Sequence, residues 1–330
     1  MNTQVNKFKL TKSLQIFNNR GCNSVRLSFD ETKESNRLKS GVPLMKWAEV
    51  VSSNLTNPTI FLNLKNISFS YVDRKRKIKL PNYLDIFLAE DIGIQIGDGS
   101  LPSIFDDRGV KKYIVGCYGN ITEDRDYLKN VVIPLKNRLF NINLKIKDHP
   151  IGGTCYIKFE SKAIFSFYER IIELKTGRKN EIAIPEIILN APSEIKLACI
   201  RGLADTDFCL SFKKKYKEYH DYPVIHLGCK SKILVEQLYE ILKKTGINSN
   251  TLLDQKNFDK RTGKTYTKQY LFISGKKNLE KWMSLIGFHN PVYLTKYMFW
   301  KKCGFYPPKT TLQQRFSVLN GNTEPEILGY

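Results

Sequence analysis

Two aspartates, Asp98 and Asp207, stand at matching places in two similar stretches of this chain. The first stretch is Ile92-Gly93-Ile94-Gln95-Ile96-Gly97-Asp98-Gly99, and the second is Arg201-Gly202-Leu203-Ala204-Asp205-Thr206-Asp207-Phe208. In each, an apolar helical run carries a glycine, and the aspartate follows it by five positions. A helical glycine has no Cβ to hold a second backbone away. Two such helices packed side by side would bring both carboxylates to one place at the helix ends. Carboxylates in close approach repel and raise one pKa, unless a divalent cation compensates them. A metal so held lowers the pKa of water, orients it and stabilises charge on nearby oxygens. The pair therefore predicts a metal site on a two-fold axis.

The elements that must position these acids follow a repeated order. A helix from Asn82 to Ile96 is expected to stop at Gly99. Strand-like runs Leu101–Phe105 and Lys112–Tyr118 flank Asp106-Asp107-Arg108-Gly109, a hairpin signal. A helix from Asp124 to Phe140 should kink at Pro134. A second hairpin, Asn143–Lys147 with Thr154–Phe159, and a helix from Ser161 to Leu174 complete the first unit. The second unit starts with a helix at Ser193, then the hairpin Cys209–Lys215 with Val224–Gly228 and a helix over Lys232–Lys244. It closes with Asn250–Asp254 and Thr265–Ser274, and helices over Lys277–Ile286 and Val292–Trp300. The two aspartates lie 109 residues apart, the length of one αββαββα unit, so internal duplication is the simplest explanation.

Composition points to the partner. The 330 residues hold 53 Lys and Arg against 32 Asp and Glu, a formal charge of +21. That is well beyond the roughly 2–8 that keeps a small domain soluble, and it predicts a polyanion, since phosphate neutralisation supplies most nonspecific nucleic-acid affinity. Seven cysteines form no Cys-x-x-Cys pair and read as buried thiols of a reducing compartment. No apolar run approaches the roughly 18 residues of a membrane span. The first 29 residues lack Asp and Glu and carry five basic residues, as an organellar leader or a DNA-contacting segment would. A cytoplasmic or organellar-matrix protein is expected.

On these motifs the chain resembles the LAGLIDADG homing endonucleases in their single-chain, two-repeat form. The resemblance covers roughly residues 80–320 and extends to Ile273-Ser274-Gly275-Lys276 and the segment from Ile286 to Lys302. It implies an α+β fold: two pseudo-symmetric αββαββα repeats form a β-saddle over DNA, after a small, mostly helical N-terminal region. The domains expected are 1–80, 81–190 and 191–330. The resemblance implies that Asp98 and Asp207 bind metal, Mg2+ or alternatively Mn2+ or Ca2+, with the backbone carbonyls of Gly97 and Thr206 as further ligands. Basic residues near the fourth-strand ends, Lys162 and Lys276, would assist the transition state. Asp205 reads as a helix-end or interface residue, and Gln95 as a packed interface amide. Phe208 stands where the first repeat has Gly99, so the second helix should exit differently.

Contacts to double-stranded DNA are expected from the strands: Lys111, Lys112, Tyr113, Lys145, Lys147, Lys213, Lys215, Lys256, Arg261, Lys264 and Lys268. Alternation lets about half of these face the groove. The function implied is metal-dependent double-strand cleavage at a long asymmetric site by a monomer. The alternative is a non-cleaving binder on the same fold, an intron RNA maturase or a transcriptional regulator. Self-splicing is disfavoured, because His289-Asn290 precedes Pro291 rather than Cys, Ser or Thr. The four histidines show no metal-ligand spacing.

Overall fold

The computed structural model describes residues 60–325 apart from Arg178, Asn180, Tyr216 and Arg261. The helices expected over Leu10–Phe17 and Leu44–Val51 lie outside the described residues, as does Arg261. In chain order the elements are β1 (Ile60–Phe61), α1 (Tyr71–Lys75), β2 (Tyr83–Leu84), α2 (Ile86–Ile96), β3 (Gly99–Ser100), β4 (Ser103–Phe105) and β5 (Lys111–Asn120). Next come α3 (Arg125–Tyr127), a π-turn over Leu128–Val132, α4 (Ile133–Phe140), β6 (Lys147–His149), β7 (Thr154–Glu160) and α5 (Lys162–Ser166) with a second π-turn over Phe167–Ile171. The second half holds α6 (Glu186–Leu189), α7 (Ser193–Asp207), β8 (Phe208–Lys213), β9 (Tyr222–Cys229), α8 (Lys232–Thr245), β10 (Asn250–Asp259) and β11 (Lys264–Ser274). The chain closes with α9 (Lys276–Leu285), α10 (Pro291–Cys303) and α11 (Leu312–Leu319), the last absent from the sequence reading.

The duplication is visible in the sheets. In the first repeat the strands run β3-β5-β7-β6, with β4 also on β5; in the second they run β8-β9-β11-β10. Counted within each repeat, both orders are first, second, fourth, third, and every pairing is antiparallel. The first strand of repeat 1 is split between β3 and β4, and Pro102 lies in the gap. Proline has no N–H for a ladder.

Between the repeats, α2 and α7 make the most extensive helix–helix contact. Leu88, Ala89, Ile92 and Ile96 on one side meet a core that includes Ala198, Cys199, Leu203 and Ala204 on the other. Each fully buried leucine or isoleucine contributes about 1.5–3 kcal/mol. The approach depends on the two glycines. A Cβ on Gly93 would collide with the Cys199 carbonyl oxygen, and one on Gly202 with the carbonyl oxygen of Glu90. The expectation drawn from glycine spacing holds at both positions.

Two local expectations need correction. The first motif helix begins at Ile86, not Asn82: Asp85 caps it by accepting from the Leu88 N–H at 2.8 Å, and Tyr83–Leu84 pair with β1 instead. Pro134 does not kink a continuous α-helix. It sits at the second position of α4, where its missing N–H is tolerated, and the preceding turn has widened into a π-turn. Residues before position 80 pack on the first repeat. Leu62, Ile78 and Leu84 share one core with Phe140, Ile164 and Phe167 of repeat 1. Asp73, the one acid of the charged run Asp73-Arg74-Lys75-Arg76-Lys77, is buried and caps two helices. It completes a capping box with Ser70 on α1, accepts from Ser161 Oγ at 2.7 Å, and accepts from the Ala163 N–H at 3.1 Å on α5.

Candidate metal centre and nucleic-acid face

Asp98 and Asp207 each lie at a helix-to-strand junction. Helix α2 ends at Ile96, Gly97 caps it, and Asp98 bridges to β3, its carbonyl accepting from the Tyr118 N–H at 3.2 Å. Helix α7 runs two residues further, so Asp207 is its last residue and β8 begins at Phe208. The helices meet closely here as well. Thr206 Oγ1 occupies the space a side chain on Gly97 would need, and the Asp207 carboxyl carbon is 3.5 Å from the same point. Thr206 Oγ1 also bonds back to the Leu203 carbonyl at 2.9 Å.

The two acids sense one another. Burial, Asp207 and then Asp124 push the Asp98 carboxyl up to about 8, against the opposing charge of Lys179. Asp207 keeps solvent access at a spot surrounded by protein; its carboxyl is also raised by that confinement, and Lys179 again opposes. Asp124, a third acid that the motifs gave no reason to single out, is raised by burial. It is fixed by the Asn120 N–H at 2.8 Å and by Asn290 Nδ2 at 3.4 Å. A cluster of oxygen donors whose negative charge is incompletely compensated suits a hard divalent cation. Asp98, Asp207 and the Gly97 carbonyl fit that role.

Phe208 exits α7 with ordinary extended angles, φ −87° and ψ 163°. Gly99 has no left-handed φ either. What demands glycine at position 99 is crowding, because a Cβ there would run into Gln95. The second helix thus exits differently, as expected: Phe208 is buried, and its ring packs 5.7 Å from that of Trp282.

Lys276 opens α9, donates to Asp221 Oδ2 at 3.2 Å and lies over the Trp300 ring. Lys162 opens α5, half-buried, beside the groups that Asp73 caps. The lysine that acts on both aspartates is Lys179, from the segment joining the repeats. Its Nζ donates to the carbonyls of Gln95, Ile96 and Gly97 at 2.9, 2.9 and 2.5 Å.

A separate acidic group turns out to be a latch. Glu90, Asp205 and His289 offer ligand atoms within 4.8 Å of one another. Each already has protein partners. Arg201 bonds Glu90 at 2.6 Å, His289 Nδ1 lies 2.6 Å from the other Glu90 oxygen, and Asp205 accepts from the N–H groups of His289 and Asn290. Burial alone would raise Glu90, but Arg201 and His289 hold it down at about 2. Asp205 is thus the interface residue expected. Gln95 is likewise packed inside, where buried Lys136 donates to it at 3.3 Å and to Asp91 at 2.6 Å.

Strand parity sorts the DNA-contact residues. In β5, Val115 and Cys117 are buried against helices, while Tyr118 is exposed on the other face. Lys112 has the parity of Tyr118. Lys111 and Tyr113 have the inward parity, and Tyr113 packs edge-on against Phe165 at 5.2 Å. On the outward face Tyr118 stacks on Tyr156, Lys147 pairs with Tyr156, and Lys158 pairs with Gly116. Lys145 lies outside the strands. In the second sheet Phe208, Leu210 and Phe212 point inward. Lys213 pairs with Tyr222, and Lys264 and Lys268 share the parity of Tyr270 and Phe272. Lys256 takes the opposite face, paired with Thr267. Lys215 follows β8 and lies over the Tyr222 ring. His226, Phe272 and Tyr270 form a row of stacked rings. Alternation applied to Val224–Gly228 would have exposed His226 from the sequence.

Residues 194–287 match the family model of the LAGLIDADG-like domain. That match falls within the second of the two units that the sequence resemblance placed. Among solved structures, mesophilic variants of the homing endonuclease I-DmoI align at 19% identity and TM-score 0.42, over 61% of this chain and 88% of theirs. The meganuclease I-SmaMI, bound to uncleaveable DNA, aligns at 13% identity and TM-score 0.43, over 73% of this chain and 99% of its own. Another I-DmoI structure, in complex with DNA and Ca, aligns at 20% identity and TM-score 0.42, over 61% and 88%. No curated protein matches the sequence.

Proposed function

We propose that this chain is a divalent-metal-dependent endonuclease that cuts both strands of a long, asymmetric DNA site as a monomer, in the manner of intron homing. One observation carries the reading. The C-terminal ends of the two crossed motif helices set Asp98 and Asp207 together where both sheets begin. When bound there, Mg2+, Mn2+ or Ca2+ would supply charge for the phosphate and, for the first two, an activated water. The protein's own groups do the rest. Asp98 and Asp207 hold the ions with the carbonyls of Gly97 and Thr206, and Asn120 and Asn290 fix Asp124 beside them. Lys147, Lys158, Lys213, Lys264 and Lys268 steer and hold the duplex. The expected result is Mg2+-dependent linearisation of a plasmid carrying the gene's uninterrupted insertion site, lost in Asp98→Asn and in Asp207→Asn while binding persists. Full cleavage by either variant would refute the assignment.

A second reading, a non-cleaving RNA binder, is favoured by the stacked rings Tyr118–Tyr156 and His226–Phe272–Tyr270 on the outward faces. Aromatic platforms suit splayed bases. Competition between the insertion-site duplex and the folded intron RNA separates the two: the endonuclease reading expects the duplex to win.

A further inference from the structure

The segment between the repeats contributes an unanticipated cation. Lys179 places its ammonium against the last three carbonyls at the end of α2, those of Gln95, Ile96 and Gly97. A helix C-terminus carries partial negative charge and unpaired carbonyls. Both motif aspartates attract the same ammonium. Carbonyl and carboxylate oxygens arranged around one positive centre form the ligand set of a hard cation. Gly97 is both a carbonyl expected to ligate metal and the acceptor of the shortest Lys179 bond, at 2.5 Å. An ammonium and a dication cannot share that oxygen cage without strong like-charge repulsion. At the end of α7 the chain passes straight from Asp207 into β8.

We propose that Lys179 is a resident counter-cation of the aspartate pair: it occupies the oxygen cage at the end of α2 in the metal-free protein and leaves it when a divalent ion binds. The ammonium is drawn by both aspartates, but it bonds carbonyls of the first motif alone, which makes loading of the two centres unequal. The inference rests on the reading of Asp98 and Asp207 as metal ligands. A lysine that merely capped the helix would stabilise α2 without being released by metal.

Mn2+ binding to the full chain without DNA, followed by electron paramagnetic resonance, tests this free of turnover. Lys179→Met and Lys179→Gln should bind Mn2+ roughly tenfold or more tightly than the unchanged protein. Equal or weaker binding by both variants overturns the proposal. If the unchanged protein binds Mn2+ and the variants bind it no better, only the role of Lys179 fails. If none of the three binds, the metal reading of the aspartates fails, and this proposal with it. Should the variants misfold by near-ultraviolet circular dichroism, the unchanged protein decides. Acetylation of Lys179, read by mass spectrometry, should rise severalfold on saturation with Mg2+, and unchanged or reduced labelling refutes release.

Discussion

At the scale of single residues, the Asp98 carboxyl sets the pH behaviour. Burial and the neighbouring acids push it up to about 8, far above an ordinary aspartate. The folded, metal-free protein therefore holds a proton that the unfolded chain releases near pH 4. Because the native state binds more protons across that window, stability falls as pH rises from about 4 to about 8, then levels. Asp98→Asn should flatten that slope in metal-free thermal melts between about pH 5 and 8. The same proton must leave before metal binds, so Mn2+ affinity should rise with pH up to about 8. Calorimetry in buffers of different ionisation enthalpy would detect the released proton, and its absence at pH 7 would contradict the raised value. Glu90 works in the opposite direction. Its pairing with Arg201 and His289 is buried, and Glu90→Gln should destabilise by about 3–5 kcal/mol, measured by urea unfolding, because Arg201 and His289 lose the carboxylate they share.

At the scale of elements, the crossing of α2 and α7 was the most legible part of the sequence. Gly93 and Gly202 can be read directly, since only close backbone approach explains a glycine inside an apolar helix at matched spacing. Gly93→Ala and Gly202→Ala should each destabilise by about 3 kcal/mol or more, because the obstruction is backbone and cannot rotate away. Alanine at Gly109, whose φ of +74° lies in a hairpin turn with open space around it, should cost only about 1 kcal/mol. The π-turns were not legible, because hydrophobic periodicity over Leu128–Val132 tolerates one widened turn without losing its inward face. Nor was α1. Five residues, Asp73-Arg74-Lys75-Arg76-Lys77, look like a solvated connector until Ser161 and Ala163, distant in sequence, are seen to need Asp73. Lys179 escaped for the same reason: it lies 82 positions from Gly97 in a segment without periodicity.

At the scale of the whole molecule, charge on two outward sheet faces should govern affinity. Each phosphate contact removed lowers the slope of log affinity against log salt by roughly one. Replacing Lys158, Lys213, Lys264 and Lys268 singly with Met should each reduce that slope, whereas Lys256→Met and Lys111→Met, on opposite strand faces, should leave it unchanged. A fluorescence-anisotropy titration at three salt concentrations separates these cases. Strand parity, available from the sequence, would have made most of this distinction; the pairing register was needed for the rest.

The buried carboxylate of Asp73 also limits how this protein can be recombined. Modular exchange of halves, in which one repeat is joined to a foreign partner, assumes that each repeat ends where its motif unit ends. Here the first half must bring residues 60–80, or Ser161 and the Ala163 amide lose their acceptor. The second half brings its own bolt, His289, whose socket is Glu90 on the other repeat. A chimera cut at residue 81 would inherit the acidic pair but not the parts that keep each half upright, so its breakpoints belong before β1 and after α10.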